Sequence, residues 1–228
     1  MNNLLNDIDV DRNHFEFLYP DLIDNEYSNY YNINNFNELK INSKTDLLLL
    51  NFNIRSLSAN FDLFDGYCSV LNKKFDILSF TESWLTNDNK QLYGISGFND
   101  FHSLRNDGRR GGGISMYISQ NYETKLIEQS TISLPYIETL FVEMSRDNIT
   151  ILIACIYKPP KCDDSQFINK LTELISINSR KKYNEIILTG DFNYNLLNYD
   201  NDNNVSHFLN SLTSFIFNSN HIETHPNI

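Results

Sequence analysis

Four apolar stretches of this sequence end in polar side chains able to handle a phosphate or a metal ion. They are Asn51 and Asn53 in LLLLNFN, Glu82 in DILSFTES, Tyr157 in IACIYKPP, and Asp191 with Asn193 in ILTGDFN. A carboxylate directly after a buried strand must be solvated, capped or bound to a metal. Mg²⁺ takes only one or two protein carboxylates and completes its octahedron with water and phosphate oxygens, so Glu82 alone would suffice as an anchor. Each residue also has a plain structural reading: Glu82 before Ser83-Trp84 as a surface turn, Asp191 after Gly190 as a tight turn, Tyr157 as a core aromatic with its hydroxyl at the rim. Taken singly, those readings are favoured, because short motifs carry little specificity. A fifth segment, Ser103 to Gly113, combines Arg105, Arg109 and Arg110 with four glycines. Glycine lets a backbone approach phosphate closely and guanidinium binds it bidentately, while the plain alternative is a flexible hairpin tip. No Gly-Lys-Ser/Thr follows, so the segment is not a nucleotide-binding P-loop.

The elements that must position these residues are legible as apolar periods. Residues 46–53 and 75–80 are short apolar runs of the kind a sheet buries on both faces. Between them Phe61, Phe64, Cys68 and Leu71 recur at steps of three and four, one face of a helix, giving a β-α-β opening. Residues 113–119, 136–144 and 149–157 read as strands, the last stopped by Pro159-Pro160. A helix over 165–177, a strand over 185–189 and a final helix over 204–217 follow. This alternation predicts an α/β layered sandwich with helices outside a pair of mixed sheets. Residues 1–44 show no persistent period and read as an acidic, Asn- and Tyr-rich leader, leaving 45–228 as the folded domain.

With 228 residues, 41% hydrophobic, the chain can bury one full core but not two ordinary enzyme domains. No apolar stretch approaches the roughly 20 residues of a membrane span. Met1 to Asn13 has neither a basic nor an apolar signal region, so an intracellular protein, nuclear or cytoplasmic and not secreted, is expected. Three cysteines at unmatched spacings indicate neither a disulfide framework nor a zinc site. The net charge of −11 argues against nucleic-acid binding by bulk basicity. Residues 1–46, however, hold nine acids against three bases, leaving twenty acids against fifteen bases in the rest. A bound divalent cation would invert the local field of an acidic site toward phosphate.

Taken in order, NFNIRSL, FTESWL, RRGGGISMYI, IYKPP and GDFN resemble the endonuclease domain of non-LTR retrotransposons. That domain is a branch of the endonuclease/exonuclease/phosphatase family related to AP endonucleases and deoxyribonuclease I. The resemblance covers about Thr45 to Asn193 and beyond, and YYNINNFNELK resembles the stretch preceding the domain in such elements. It implies a four-layer α-β-β-α sandwich and Mg²⁺- (or Mn²⁺-) dependent phosphodiester hydrolysis that nicks DNA, with no organic cofactor. By matching motif, Asn51 would contact the scissile phosphate or orient the water, Glu82 would ligate the metal, and Tyr157 would stabilise phosphate charge. Asp191 would activate the attacking water, and Asn193 would hold phosphate or water in line. Arg105, Arg109 and Arg110 would follow a DNA backbone. Asn53 stands where AP endonucleases often have Asp, a substitution typical of the retrotransposon branch, leaving Glu82 as the main carboxylate ligand.

The family's final strands and Ser-Asp-His motif are not matched. His221 and His225 lack a neighbouring Asp, and His14, His102 and His207 read as surface residues. The chain therefore reads as a C-terminally incomplete domain with low or no nicking activity. Two alternatives stand beside it: a catalytically dead nucleic-acid or protein-binding remnant, and a phosphatase or phospholipase of the same family.

Overall fold

The computed structural model describes residues 31–42, 46–181, 183–196 and 201–219, with side chains to residue 213 in the last stretch. The chain divides into two units, Met1–Leu39 and Lys40–Ile228. In the first, a short helix, α1 (Ile33–Glu38), forms where the sequence shows no apolar period. Its start is fixed by a cap instead: the Asn32 side chain accepts the Asn35 N–H.

The second unit is built from two sheets. The first has the order β1 (Leu49–Asn53), β2 (Ile77–Thr81), β4 (Ile114–Ser119), β3 (Phe98–Ser103), with β1 and β2 parallel. The second runs β5 (Glu123–Leu126), β7 (Ile137–Arg146), β8 (Ile149–Tyr157), β9 (Glu185–Asp191), with the two-residue β6 (Ser133–Leu134) on β7. Here β7 and β8 are antiparallel, β8 and β9 parallel. The sheets pack face to face, β1 against β9, β2 against β8 and β9, and β3 and β4 against β7.

Strand alternation sorts the core into layers. On β8, Leu152, Ala154 and Ile156 join Phe167, Leu171 and Leu174 of helix α3 (Asp164–Ser179) and Phe208 of helix α4 (Asn203–Ser219). Ile153, Cys155 and Tyr157 point the other way, into a second cluster between the sheets with Met116, Ile118 and Leu140. Burial on both faces is why this strand reads as a continuous apolar run. Helix α2 (Leu57–Leu71) covers the outside of the first sheet, Phe64 meeting Phe80 edge-on at 4.7 Å between ring centroids. The layer order is helix, sheet, sheet, helices, as expected.

Three strands, β3, β5 and β6, lie where the sequence showed no strand period. No described helix is long and apolar enough to cross a membrane. The three cysteines are unpaired, and Cys155 is buried between the sheets.

Candidate active site

The carboxyl ends of β1, β2, β8 and β9 converge at one end of the sandwich. Asn53, the last residue of β1, donates its side-chain NH₂ to Glu82 Oε1 at 2.9 Å and to Asp191 Oδ2 at 2.7 Å. Only the amide nitrogen can donate, so the two carboxylates fix the amide's orientation. Tyr157 donates its hydroxyl to the same Glu82 Oε1 at 3.2 Å. Asn51 reaches across the sheets to the Gly190 carbonyl at 3.3 Å. Asn193 donates its backbone N–H to Asp191 Oδ1 at 3.0 Å and its side chain to the Lys158 carbonyl at 2.7 Å. Asn51, Asn53, Asp191 and Asn193 line an open depression of about 570 Å³, with Glu82 and Tyr157 outside its lining.

Local backbone conformations aim these groups. Glu82 and Asn193 sit at φ +54° and +48°, left-handed conformations that non-glycine residues rarely adopt and that the surrounding structure must enforce. At Glu82 the enforcement is visible. Its carbonyl accepts the Ser56 N–H at 2.8 Å, and the next two residues, Ser83 and Trp84, donate their N–H groups to the carbonyls of Gly113 and Gly112. Ahead of Asp191, Gly190 has φ +134°, and a Cβ there would lie 1.9 Å from the Ile156 carbonyl oxygen. Only glycine lets β9 close onto β8 at that point and bring Asp191 level with Tyr157, its register partner.

Burial, reinforced by Glu82 beside it, holds the Tyr157 phenol well above its ordinary pKa, so it stays a proton donor. Among the described residues neither Glu82 nor Asp191 has an ion-pair partner. The Oδ1 atoms of Asn51 and Asn53 are buried without a hydrogen-bond partner. Two neighbouring carboxylates without an ion-pair partner offer oxygen donors of the kind that suit a hard divalent cation. No group of three or more His, Cys, Asp or Glu comes together among the described residues.

All six residues singled out at the strand ends thus lie at one end of the sandwich, with Asn53 as the bridge between the two carboxylates. The Arg segment is divided. Arg105 is buried, its side chain 8% exposed, and pairs with the fully buried Glu138 through Nε and Nη2. Arg109 pairs with Asp107 and donates to the Pro135 carbonyl at 3.2 Å, and Arg110 lies over the Trp84 ring; both are exposed. Glu138 escaped the sequence reading, although its place in the alternating run IETLFVEM puts it in phase with Leu140, Val142 and Met144, facing between the sheets.

Expected at the surface, His102 instead has a side chain only 6% exposed, held between Asp100 and its cross-strand partner Ser115 at 2.9 Å each. Burial lowers its pKa. Ser115 is fully buried and His102 nearly so, leaving only Asp100 of the three exposed. His207 is exposed on α4; His14, His221 and His225 lie outside the described residues.

The chain matches no protein-family model and no curated protein sequence. Among solved structures it is similar to the endonuclease domain of TRAS1, a telomere-specific non-LTR retrotransposon, at a TM-score of 0.55 and 14% identity, covering 74% of this chain and 70% of that one. It is also similar to the AP endonuclease LMAP from Leishmania major, at 0.54 and 13%, covering 79% and 68%. The fold is that of the deoxyribonuclease I-like endonucleases. The 3′ phosphatase NExo from Neisseria, described bound to a product DNA hairpin, shares the same sandwich at 0.51 and 14%, over 74% and 71% of the two chains. One end of the paired sheets here carries Asn51, Asn53, Glu82, Tyr157, Asp191 and Asn193.

Proposed function

We propose that the chain is a divalent-metal-dependent phosphodiesterase domain of the DNA-nicking kind carried by non-LTR retrotransposons, with low nicking activity. The observation that carries this reading is the Asn53 amide shared by Glu82 and Asp191, with the unpartnered oxygens of Asn51 and Asn53 beside them. Glu82 would hold Mg²⁺ or Mn²⁺, with Asp191 close by across the Asn53 amide. The ion would draw charge from the scissile phosphate and polarise it for attack.

The remaining work falls to the chain's own groups. Tyr157, kept protonated, donates a hydrogen bond to a phosphate oxygen as charge develops there. Asp191 accepts the proton of the attacking water. Asn51 contacts the scissile phosphate, and Asn193, tied to Asp191 and to the Lys158 carbonyl, keeps phosphate and water in line. DNA as substrate is supported by the ordered motifs and by likeness of fold to a protein described bound to a DNA hairpin. The exposed Arg109 and Arg110 would follow its backbone. Such a substrate implies action in the nucleus or cytoplasm.

The test is conversion of supercoiled plasmid to the nicked form in Mg²⁺ or Mn²⁺. Nicking should fall by about 10²-fold or more in Glu82→Ala and in Asp191→Ala. Nicking unchanged in both variants overturns the assignment of the site. Metal-independent duplex binding without nicking would favour a binding remnant instead.

A further inference from the structure

The most deeply buried ion pair among the described residues lies next to Tyr157 and has no role in the reading above. Glu138 is fully buried, and burial raises its carboxyl pKa against the pull of Arg105. Besides Arg105, its Oε2 accepts the Gly113 N–H at 2.6 Å. In the β7–β8 ladder Glu138 is the direct register partner of Tyr157, and the Arg105 guanidinium lies over the Tyr157 ring, 5.9 Å from its centroid. A cation at that distance is attracted to the ring face.

Such a pair is an expensive way to fill an interior. Desolvating two charges consumes most of their attraction, and apolar residues of similar volume are often no less stabilising. Its position gives it a second use. Gly112 and Gly113, which the pair gathers in, are the same residues whose carbonyls fix Trp84 and Ser83, immediately after Glu82. Gly112 has φ +72°, and a Cβ there would fall 2.1 Å from the Arg105 guanidinium carbon, so the loop is shaped around this side chain.

We propose that Arg105 and Glu138 are positioning residues: together they fix the Tyr157 ring from one side and the Glu82 turn from the other, setting the angle at which the phenol meets the phosphate. This deepens the nuclease reading and rests on Tyr157 acting at the phosphate. It also separates Arg105 from Arg109 and Arg110, which meet DNA directly.

The test combines a spectroscopic arm independent of turnover with a kinetic one. In the full chain carrying ¹³C-labelled tyrosine, with Tyr157→Phe to assign the signal, Glu138→Gln and Arg105→Met should each shift or broaden the Tyr157 ring resonances. Tyr122, hydrogen-bonded to Asp76 and in neither network, should stay unmoved. In plasmid nicking the two variants should lose about 10- to 10²-fold in kcat with KM little changed, as expected when a reacting group is misplaced by a fraction of an ångström to an ångström. The double variant should be no worse than the weaker single one, and Arg105→Lys should restore part of the rate. Duplex binding should keep its salt dependence in Arg105→Met, whereas Arg109→Ala and Arg110→Ala should each flatten the log–log slope by about 0.9.

Tyr157 resonances unmoved in both variants overturn the proposal, whether or not the chain turns over. So does a slope flattened by Arg105→Met, which would make Arg105 a phosphate contact. Moved resonances in a chain whose nicking is indifferent to Glu82 would instead count against the nuclease reading while leaving the positioning geometry intact.

Discussion

The two halves of the site stand on different foundations. Glu82 and Tyr157 follow or end β2 and β8, interior strands whose residues leading into the site are buried throughout. Asn51, Asn53 and Asp191 belong to β1 and β9, the edge strands of their sheets; every residue of β1 is only partly buried, and β9 is partly or fully exposed along its length. On the interior strands the backbone leading into the site is held by packing. On the edge strands the side chains are fixed by hydrogen bonds that cross between the sheets, above all the Asn53 amide and the bond from Asn51 to the Gly190 carbonyl. A site residue at the end of a packed strand starts from a backbone that the core already holds. One on an edge strand is held by the site itself.

That contrast can be broken most directly by cutting the core under each half. Phe80, on β2, is fully buried and packed edge-on against Phe64 and Tyr117, and Phe80→Ala should cost about 3–5 kcal/mol. Ile186, on β9, is 39% exposed, and Ile186→Ala should cost about 1 kcal/mol or less. Urea unfolding of the two variants measures the difference, and equal losses would mean that β9 is as firmly packed as β2.

A sharper probe changes the bridge alone. Asn53→Asp replaces the shared donor with a third carboxylate facing Glu82 and Asp191, so the metal-free chain should lose about 1–2 kcal/mol to like-charge repulsion. Saturating Mn²⁺ should return that loss in a thermal melt, by more than it stabilises the wild type. A variant destabilised equally with and without metal would separate Asn53 from any cation site.

The smallest effect lies away from both halves. Burial lowers the His102 pKa in the folded chain, while in the unfolded chain its ring takes up a proton near its ordinary pKa of about 6.5. The unfolded state then binds more protons, so this residue's contribution is present above that pH and is lost as pH falls toward the lowered folded pKa. The drop in urea midpoint between about pH 7.5 and pH 5.5 should therefore be smaller in His102→Gln than in the wild type. An identical drop would show that His102 is protonated alike in both states.

How far the sequence disclosed this arrangement depended on the kind of signal. Strands β1, β2, β4, β7, β8 and β9 announce themselves because burial on one or both faces demands apolar residues at fixed phase, and helices α2, α3 and α4 because their apolar positions recur every three or four residues. Strand β3, FNDFHS, carries Asn, Asp and His at an open edge, and the four-residue β5 and two-residue β6 are too short to show a period. The strand-end residues stood out as polar groups following apolar runs. What stayed hidden was pairing across sequence distance. Arg105 read as a member of an arginine cluster, but Glu138, 33 residues on, draws it inward. His102 read as a surface residue because nothing local announces that Ser115 and Asp100 enclose it.

Glu82, tied to Asp191 through the Asn53 amide, is proposed as the carboxylate that holds the metal. Calorimetric titration of Mn²⁺ into the wild type and into Glu82→Ala tests it without requiring turnover. The expected result is a single binding event in the wild type that weakens at least about tenfold in the variant, consistent with the loss of the principal carboxylate from a site that has few of them. Equal affinity in the two proteins would contradict it.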